Sequence, residues 1–411
     1  MTQGTLLQQI TDYANRADPY PLYAELRRTP VARQDDGTYT VSTYWEILGL
    51  LHDPRISSDV RNRLPQEGCG LLPEQEEEGL PPSFIRFDPP EHDRLRRLAM
   101  RPFGPPHSPR RIHDMRGELT RMVTGLIDDF RDGNQVDLVD DFAYPFPVMV
   151  ICKLLGVPHE DEARFHAWAE QVVAGLDPNP AEDPAERQRA TQRARTELGG
   201  YLAGLIEEHR RAPGGDLLSA LVTEQGPCGR MSPIEVVTTA VLLLIAGHET
   251  TVNLITNGML TLLRHPDALK RLRADPGFAV PLVEELLRYE PPVQFLPQRT
   301  ALTDIDIAGT VIPRGAPIWL VLAAGSRDPR RFADPDRFDP ERPDNQHFGF
   351  GSGIHYCFGA PLARLETQIA LTELARRLGN PRLVDDPPPY RRNPVLRGPR
   401  HLQIAFDGVT A

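Results

Sequence analysis

The hydrophobic pattern of the chain is mainly helical, and its strongest helical signal begins at Ser232. Ser-Pro-Ile-Glu there forms a capping box with proline in the first helical position. No further proline occurs before Pro266, so one helix of about 32 residues and roughly 48 Å is predicted from Pro233 onward. Its middle, residues 240–247 (AVLLLIAG), is apolar on all sides, which is typical of a helix buried in a protein core.

Shorter helical patterns surround this segment, whereas strand patterns are few. Residues 304–312 (DIDIAGTVI) alternate around Ala308-Gly309 in the manner of a β-hairpin. The predicted fold class is therefore mainly α with minor β. The shorter predicted helices are Pro21–Arg28, Glu91–Arg101, Ile112–Phe130, Val148–Leu155, Asp161–Gly175, Glu186–Arg210, Pro281–Tyr289 and Ala360–Leu378, and the other predicted strands are Tyr39–Ser42 and Ile318–Leu322.

A glycine-rich loop around Cys357 carries the most informative chemistry. In residues 348–366 (FGFGSGIHYCFGAPLARLE) the cysteine lies between Gly353 and Gly359, just before a predicted helix. Glycine permits positive φ and close approach of the backbone, and a helix N-terminus favours the thiolate form of a cysteine. A thiolate presented in this way can ligate a metal. The alternative is a buried structural cysteine beside a turn, which the coincidence of so many local features disfavours.

Polar residues interrupt the long apolar helix just after its middle, in the sequence AGHETT. Ala246 and Thr250 are one turn apart and share a face, where small residues leave room for a diatomic ligand or a freed helix carbonyl. The hydroxyl of Thr250 can donate a hydrogen bond there, and the carboxylate of Glu249 can relay protons. Taken alone, the pattern could equally be a packing notch or a kink. His248 faces another side of the helix and is interpreted as structural.

The segment 350–364, which fits the pattern FxxGxHxCxGxxLAR, resembles the haem-binding signature of the cytochrome P-450 family. The resemblance implies the cytochrome P-450 fold, with a long central helix over the haem and small β-sheets to one side. It also implies that Cys357 is the axial thiolate ligand of the iron of haem b, a ligand that favours cleavage of the O–O bond. Glu249 and Thr250 then resemble the acid–alcohol pair that delivers protons to dioxygen.

Three charged residues match a structural triad of the same family. Glu285 and Arg288 correspond to its ExxR motif, a buried ion pair, and Arg342 in FDPER would complete the triad. The resemblance implies a role in folding and haem retention rather than in chemistry. Without it, a pair three residues apart is usually a solvated helix salt bridge.

Four further residues match the positions that hold the two haem propionates. His92 and Arg96 lie one turn apart in DPPEHDRLRR, Arg299 lies in LPQRT, and His355 precedes the cysteine. Arginine suits this role because its fork can pair with a carboxylate at two points. Considered singly, each of the four could be an ordinary surface charge.

The resemblance implies an apolar pocket above the haem for a mid-sized lipophilic molecule, such as a polyketide, macrolide, terpene, steroid or fatty acid. The long helix supplies some of the candidate wall residues, and family position suggests others from loops. Core packing is a nearly equal alternative for all of them. The candidates are Leu242, Ile245, Ala246, Phe295 and Leu396.

Length, composition and charge narrow the class of protein further. A chain of 411 residues suggests two or three domains by length alone, but motifs that serve one haem favour a single domain over residues 1–411. The net charge of −11 argues against non-specific nucleic-acid binding. Four widely spaced cysteines form neither a disulfide framework nor a zinc site. No apolar stretch approaches the ~20 residues that span a bilayer, and the N-terminus lacks a signal peptide. We expect a cytoplasmic monomer without membrane insertion.

The sequence contains no flavin or ferredoxin module, so an external ferredoxin and its reductase would supply electrons. Residues 94–111 hold six arginines and no acid, which could steer an acidic ferredoxin, although ordinary solvated arginines are an equal alternative. The expected reaction inserts one oxygen atom from O2 into a C–H bond, by hydroxylation or epoxidation. Two alternatives are a peroxide-driven haem oxidase, which the pair Glu249–Thr250 disfavours, and a non-catalytic haem-binding sensor.

Overall fold

The computed structural model of the protein describes residues 5–62, 82–104, 108–174, 183–226 and 229–410. Helices dominate and the strands are short, which confirms the predicted mainly α class. The helices are α1 (Leu6–Thr11), α2 (Tyr20–Leu26), α3 (Tyr44–Leu51), α4 (Glu91–Phe103), α5 (Pro109–Asp114), α6 (Arg116–Asp128), α7 (Pro145–Leu155), α8 (Glu162–Ala174), α9 (Pro184–Arg211), α10 (Leu217–Thr223), α11 (Pro233–Arg264), α12 (Pro266–Ala274), α13 (Ala279–Tyr289), α14 (Leu322–Gly325) and α15 (Ala360–Arg377). The strands are β1 (Val31–Arg33), β2 (Tyr39–Val41), β3 (Ile56–Ser57), β4 (Gln135–Asp137), β5 (Leu296–Ala301), β6 (Ile305–Ile307), β7 (Thr310–Ile312), β8 (Pro317–Leu320), β9 (Arg382–Leu383) and β10 (Gln403–Ala405).

The long helix α11 has the bounds that its sequence predicts. The hydroxyl of Ser232 accepts the N–H of Glu235, and the Glu235 carboxylate accepts the N–H of Ser232 at 2.7 Å, so the capping box is complete. Among the described residues, α11 is the one helix long and apolar enough to cross a membrane. More than half of its most apolar stretch is buried inside the protein, as in the core helix of a globular fold.

The chain divides into two compact units, each built from separate stretches of sequence. The prediction of a single domain over residues 1–411 stays a prediction. The first unit comprises Met1–Gln75, Val280–Cys357 and Pro387–Arg400, and the second comprises Glu76–Ala279, Phe358–Asp386 and His401–Ala411.

The first unit contains the larger sheet, in which the strands are ordered β1-β2-β8-β5-β3. Its pairs are antiparallel except for β2 and β8, which run parallel. The hairpin of β6 and β7 forms as predicted, and its two turn residues, Ala308 and Gly309, have φ of 50° and 74°. Positive φ at both central residues is the geometry that a two-residue hairpin requires.

Helix α3 was not predicted from the sequence, yet it belongs to the core of the first unit. Tyr44, Ile47 and Leu50 form its buried face. The Tyr44 ring stacks on Phe348 with centroids 4.6 Å apart. The helix is short and contains Gly49, so its helical pattern is weak, and packing rather than local propensity stabilises it.

The second unit is helical around α11, which packs against α7, α9 and α15. A three-stranded sheet ordered β4-β10-β9 completes this unit. A π-helical turn, Val139–Ala143, leads directly into α7.

In the second unit one helical prediction was wrong in detail, and one helix was not predicted. The single helix predicted over Ile112–Phe130 is divided into α5 and α6 at Met115, and α5 begins earlier because Pro109 takes a first-turn position. Pro266 was predicted only to end α11, although it also begins α12. Proline is tolerated in the first turn, so the same residue can end one helix and start the next.

Candidate functional site

Residues 348–357, here called the cysteine loop, present the Cys357 side chain half-buried and not joined in a disulfide within the described residues. The Cys357 N–H donates to the Phe350 carbonyl at 2.9 Å, and the Gly351 N–H donates to the Phe348 carbonyl at 2.8 Å. Helix α15 begins at Ala360, three residues after the cysteine. The loop is therefore held by its own backbone, with the sulfur near the start of a helix.

Three glycines of the cysteine loop are required by its backbone. Gly351 and Gly353 have φ of 66° and 68°, where other residues are strained. A Cβ on Gly353 would lie 2.1 Å from the Leu51 carbonyl oxygen, and a Cβ on Gly349 would lie 2.6 Å from the Leu287 carbonyl oxygen. The loop thus contacts the end of α3 and the helix α13 at distances that only glycine allows.

Two predicted propionate ligands belong to the first unit. His355 lies in the cysteine loop, with Nε2 2.9 Å from the hydroxyl oxygen of Ser58. Arg299 is half-buried on β5, opposite Ile318 of β8. Ser58 was not identified from the sequence, because it lies almost 300 residues before its partner.

The structure brings the three residues of the predicted triad together. Glu285 and Arg288 are both fully buried on α13, and two hydrogen bonds of 2.7 and 2.8 Å join the guanidinium to the carboxylate. Arg342 Nε lies 3.6 Å from Glu285 Oε2, an ion-pair distance rather than a hydrogen bond. Arg288 also donates to the carbonyls of Ser326 and Pro335, at 3.1 and 2.7 Å. The triad therefore ties α13 to the segment that leads into the cysteine loop.

The two loop residues predicted to line the substrate pocket have different surroundings. Leu396 is half-buried and forms a β-bridge with Val293. Phe295 is fully buried, and its ring packs edge-on against Tyr23 and Trp319 with centroids 6.1 and 5.7 Å apart. The side chain of Phe295 thus follows the core-packing alternative, because it points into the hydrophobic core of the first unit rather than toward open space.

In the second unit, the buried helix α11 is open on one side. Ala246 is exposed and Leu242, Ile245 and Thr250 are partly exposed, whereas Leu243, Leu244, His248 and Glu249 are buried. At about 100° per residue, these four residues fall within an arc of about 140° around the helix, so they share one face. We call them the open face of α11. Three of the predicted wall residues lie on it.

The predicted acid–alcohol pair lies at the end of the open face. The Thr250 hydroxyl donates to the Ala246 carbonyl at 2.6 Å. The neighbouring Glu249 is only 2% exposed, so its side chain points into the protein. Gly247 faces α7, where an added Cβ would lie 3.4 Å from Ile151 Cδ1. Small residues thus both open this turn of α11 and allow α7 to pack closely against it.

The other two predicted propionate ligands lie on α4. His92 is 1% exposed, with Nδ1 2.8 Å from the Asp93 carboxylate, and Arg96 is half-buried one turn further on. The predicted basic face is partly neutralised within the second unit. Its internal partners are Glu235 for Arg94, Glu224 for Arg101 and the Gly215 carbonyl for Arg111, while Arg97 and Arg110 remain exposed.

Glu366 is a buried acid on α15 that was not identified as a candidate residue from the sequence. Its side chain is 3% exposed, and within the described residues its Oε2 has no hydrogen-bond partner. Burial raises the pKa of Glu366 well above its ordinary value, because the charged form loses its contact with water. The motif LARLE places an acid in a helix, but the buried side of that helix could only be known from its neighbours.

The residues present fit a haem held through sulfur. The cysteine loop leaves Cys357 accessible, while the other cysteine of the described residues, Cys152, is fully buried and burial raises its pKa to about 12. In the second unit, the open face of α11 leaves small and apolar side chains accessible. His248, interpreted as structural, does point to another side and packs against Tyr144.

Comparisons with known proteins agree with this chemistry. The family model described as cytochrome P450 matches residues 82–276 and 279–406. The cytochrome P450 monooxygenase PikC of Streptomyces venezuelae is 42% identical, over 95% of this chain and 91% of its own length. The vitamin D(3) 25-hydroxylase of Pseudonocardia autotrophica is 39% identical, over 100% of this chain and 99% of its own length.

A solved structure extends the similarity to the fold. The bacillaene polyketide synthase cytochrome P450 PksS of Bacillus subtilis superposes with a TM-score of 0.86 at 32% identity, covering 97% of this chain and 99% of its own. The match includes both the cysteine loop and the open face of α11. The chain belongs to the cytochrome P450 family, and it is a monooxygenase of that family.

Proposed function

We propose that this monooxygenase inserts one oxygen atom from O2 into a C–H bond of a mid-sized lipophilic molecule, by hydroxylation or epoxidation, with electrons from an external ferredoxin and its reductase. The observation that carries the proposal is the open face of α11, where the Thr250 hydroxyl meets the Ala246 carbonyl beside the buried Glu249. A sensor or a simple haem carrier has no need of a hydroxyl and an acid at that position.

Cys357 is proposed as the axial ligand of haem b. A haem bound through a thiolate supplies the redox chemistry that activates dioxygen. The cysteine loop supports this role because its glycines fix the backbone while the sulfur stays accessible. The loop positions the sulfur without help from a flexible side chain, so the ligand is preorganised.

Four side chains are proposed to hold the haem propionates. Arg96 and Arg299 carry guanidinium groups that pair with carboxylates at two points. His92 and His355 have ring nitrogens that can donate to the same class of group, and each is already oriented by a neighbour, Asp93 or Ser58. Each role can be tested separately by its effect on haem retention.

Proton delivery is assigned to Thr250 and Glu249. The Thr250 hydroxyl now donates to a helix carbonyl, an acceptor that it can exchange for a small ligand on the open face. Glu249 is proposed to hold the proton that replaces the one Thr250 gives up. Positioned general acids of this kind typically contribute 10²- to 10⁴-fold to a rate, as an order of magnitude.

The substrate is proposed to pack against the apolar residues of the open face, Leu242, Ile245 and Ala246. These side chains offer no charge and no hydrogen bond, so they select for lipophilic surface rather than for a polar group. Relatives named for vitamin D(3) hydroxylation and for polyketide synthesis make secosteroids and polyketides the first classes to examine.

Electron delivery is assigned to an acidic ferredoxin. Arg97 and Arg110 are exposed on the basic stretch of the second unit, where they can steer a negatively charged partner despite the net charge of −11. Association should then weaken as ionic strength rises, because exposed charges are screened.

One assay separates the proposal from its alternatives. The purified holoenzyme is incubated with vitamin D3, a macrolactone, a steroid and a fatty acid, first with NADPH and a surrogate ferredoxin system and then with hydrogen peroxide alone. Oxygenated product with NADPH, containing label from ¹⁸O2, is expected. Product with peroxide alone would favour the peroxide-driven oxidase, and spectral binding without product in either arm would favour a sensor.

A further inference from the structure

His248 lies between Gly247 and Glu249 in the sequence, but its side chain points away from the open residues Ala246 and Thr250. Its side chain is fully buried, with Nε2 3.0 Å from the Tyr144 carbonyl oxygen. A carbonyl can only accept, so Nε2 carries the proton and donates it. The imidazole also packs edge-on against the Tyr144 ring, with centroids 4.4 Å apart and planes at 88°.

The acceptor of this hydrogen bond is held rigidly. Tyr144 follows the π-helical turn Val139–Ala143, and its N–H donates to the Val139 carbonyl at 2.8 Å. It is also the N-terminal cap of α7, which contacts α11 again where Ile151 faces Gly247. The backbone around Tyr144 is therefore fixed at both sides of the contact with His248.

The stretch of the long helix just before His248 carries no polar side chain that could fix its rotation. Residues 240–246 are all apolar, so turning the helix about its axis exchanges one hydrophobic side chain for another. A directional polar contact in the core can select one arrangement among such alternatives. His248 is two residues from both Ala246 and Thr250, or about 200° around the helix from each, and so lies nearly opposite these two residues.

We propose that His248 is a positioning residue whose hydrogen bond to the Tyr144 carbonyl sets the rotation of α11. In that rotation Ala246 and Thr250 face the open side. His248 touches none of the reacting groups and acts only through the helix. The inference rests on the proposed proton-delivery role of Glu249 and Thr250.

Four variants test the proposal in the purified holoenzyme. His248→Phe keeps a planar ring and removes the donor, and His248→Gln retains an N–H donor. Ile151→Val removes one methyl group at the same helix crossing and leaves the hydrogen bond in place. His248→Met provides a second apolar replacement in case the phenylalanine variant yields no holoenzyme.

The readouts need no identified substrate. With NADPH and a surrogate ferredoxin system, oxygen consumed and peroxide released are measured, together with hydrogen exchange at the amides of residues 247–251. For His248→Phe we expect a several-fold rise in the fraction of oxygen released as peroxide and faster exchange at those amides. His248→Gln should restore both toward the wild-type values, and Ile151→Val should change neither. The carbon monoxide spectrum of the reduced protein should keep its thiolate form throughout.

The proposal is overturned if His248→Phe and His248→Met match the wild type in peroxide release and exchange. It is also overturned if Ile151→Val shifts both readouts as far, since the effect would then be general helix packing. Thr250→Ala in the same assay distinguishes the positioning role of His248 from the proton-delivery role of Glu249 and Thr250. If Thr250→Ala also leaves peroxide unchanged, the proton-delivery role itself is wrong; if only Thr250→Ala raises peroxide, the positioning role alone is wrong.

Discussion

The cysteine loop and the open face of α11 carry complementary chemistry by opposite structural means. The loop has no repeating hydrogen bonds, and it depends on positive φ at Gly351 and Gly353 and on close approach to the Leu51 carbonyl. The open face is part of a regular helix of 32 residues, and its character depends on which side chains are small and which are polar. The first region is defined by its backbone and the second by its side chains.

The two regions should respond differently to substitution. At Gly349 and Gly353 of the loop, an added methyl group must move the backbone, because the neighbouring atom is a carbonyl oxygen of another element. On the helix, a substitution leaves the backbone ladder intact and alters only the chemistry presented. We therefore expect loop variants to affect haem retention and helix variants to affect how electrons and protons are used.

The largest effect is expected from Cys357→Ser in the cysteine loop. A serine hydroxyl cannot supply thiolate donation, so the red-shifted absorption of the reduced carbon monoxide complex should disappear. Cys152→Ser is the matched control, because Cys152 is fully buried on α7, and it should keep the band. Retention of the band in Cys357→Ser would refute the assignment of the ligand.

Gly353→Ala should be the next most damaging change. Its Cβ would lie 2.1 Å from the Leu51 carbonyl oxygen, so the loop must shift, and most of the haem should be lost on purification. Gly351→Ala offers a matched comparison, since it has a similar φ of 66° but no neighbour within 4 Å. There only the left-handed strain remains, about 1–2 kcal/mol. Equal haem contents in the two variants would show that the contact with Leu51 is unimportant.

Arg288→Ala tests the support beneath the loop. It would leave the Glu285 carboxylate buried with one partner fewer, at a cost of about 3–5 kcal/mol in the free energy of unfolding. Urea unfolding of the holoenzyme measures this loss. Arg288→Lys keeps the charge without the planar fork, so its free energy of unfolding should lie between those of Arg288→Ala and the wild type. A loss below 1 kcal/mol for Arg288→Ala, as an exposed pair would give, contradicts the structural role.

Thr250→Ala is the corresponding test on the open face. It removes a hydroxyl and leaves the helix backbone as it is, so haem content and melting temperature should stay near the wild-type values. Peroxide release per NADPH should rise several-fold, because protons are no longer delivered by a positioned group. Thr250→Ser restores the hydroxyl and should restore the low peroxide yield. If haem is lost instead, the distinction between the two regions does not hold.

The smallest effect is expected from Glu366→Gln, which changes a buried acid of the second unit. Because burial raises the folded pKa of Glu366, the unfolded chain ionises first as pH rises above the ordinary value of 4.5. The unfolded state then binds fewer protons than the folded state, so this group lowers stability as pH increases. Glutamine cannot ionise. The free energy of unfolding of Glu366→Gln should therefore rise relative to that of the wild type, by at most about 1.4 kcal/mol per pH unit.

Melting temperatures of both proteins between pH 5 and pH 8 measure this gain. Glu373→Gln on the same helix is the control, because its carboxylate already pairs with Arg376 at 2.9 Å. If the difference in melting temperature between Glu366→Gln and the wild type does not depend on pH, Glu366 is ionised in the folded protein.

Several features were predictable because their signals are local. The capping box at Ser232 and the absence of proline up to Pro266 predicted α11 residue by residue. The turn Ala308-Gly309 predicted its hairpin, since two residues alone decide the backbone there. The spacing around Cys357 identified the family, because the glycines and the cysteine are all needed within one loop.

Other features were not predictable because they depend on distant partners. Strands such as β3 and β4 have two or three residues and exist only through their pairing. Phe295 looked like a pocket residue from its position, yet the core of Tyr23 and Trp319 encloses it. The inward side of α15, and with it the burial of Glu366, follows from how that helix packs against its neighbours.

The amino-acid sequence by itself determined the chemical groups of this protein and the local backbone that holds them: a cysteine among glycines, an acid and an alcohol on a long apolar helix. The tertiary structure alone decided which side of that helix is open, which glycine meets a carbonyl and which histidine points inward. The physical reason is that glycine spacing and helix caps act over a few residues, whereas the rotation of an apolar helix is decided by the elements packed around it.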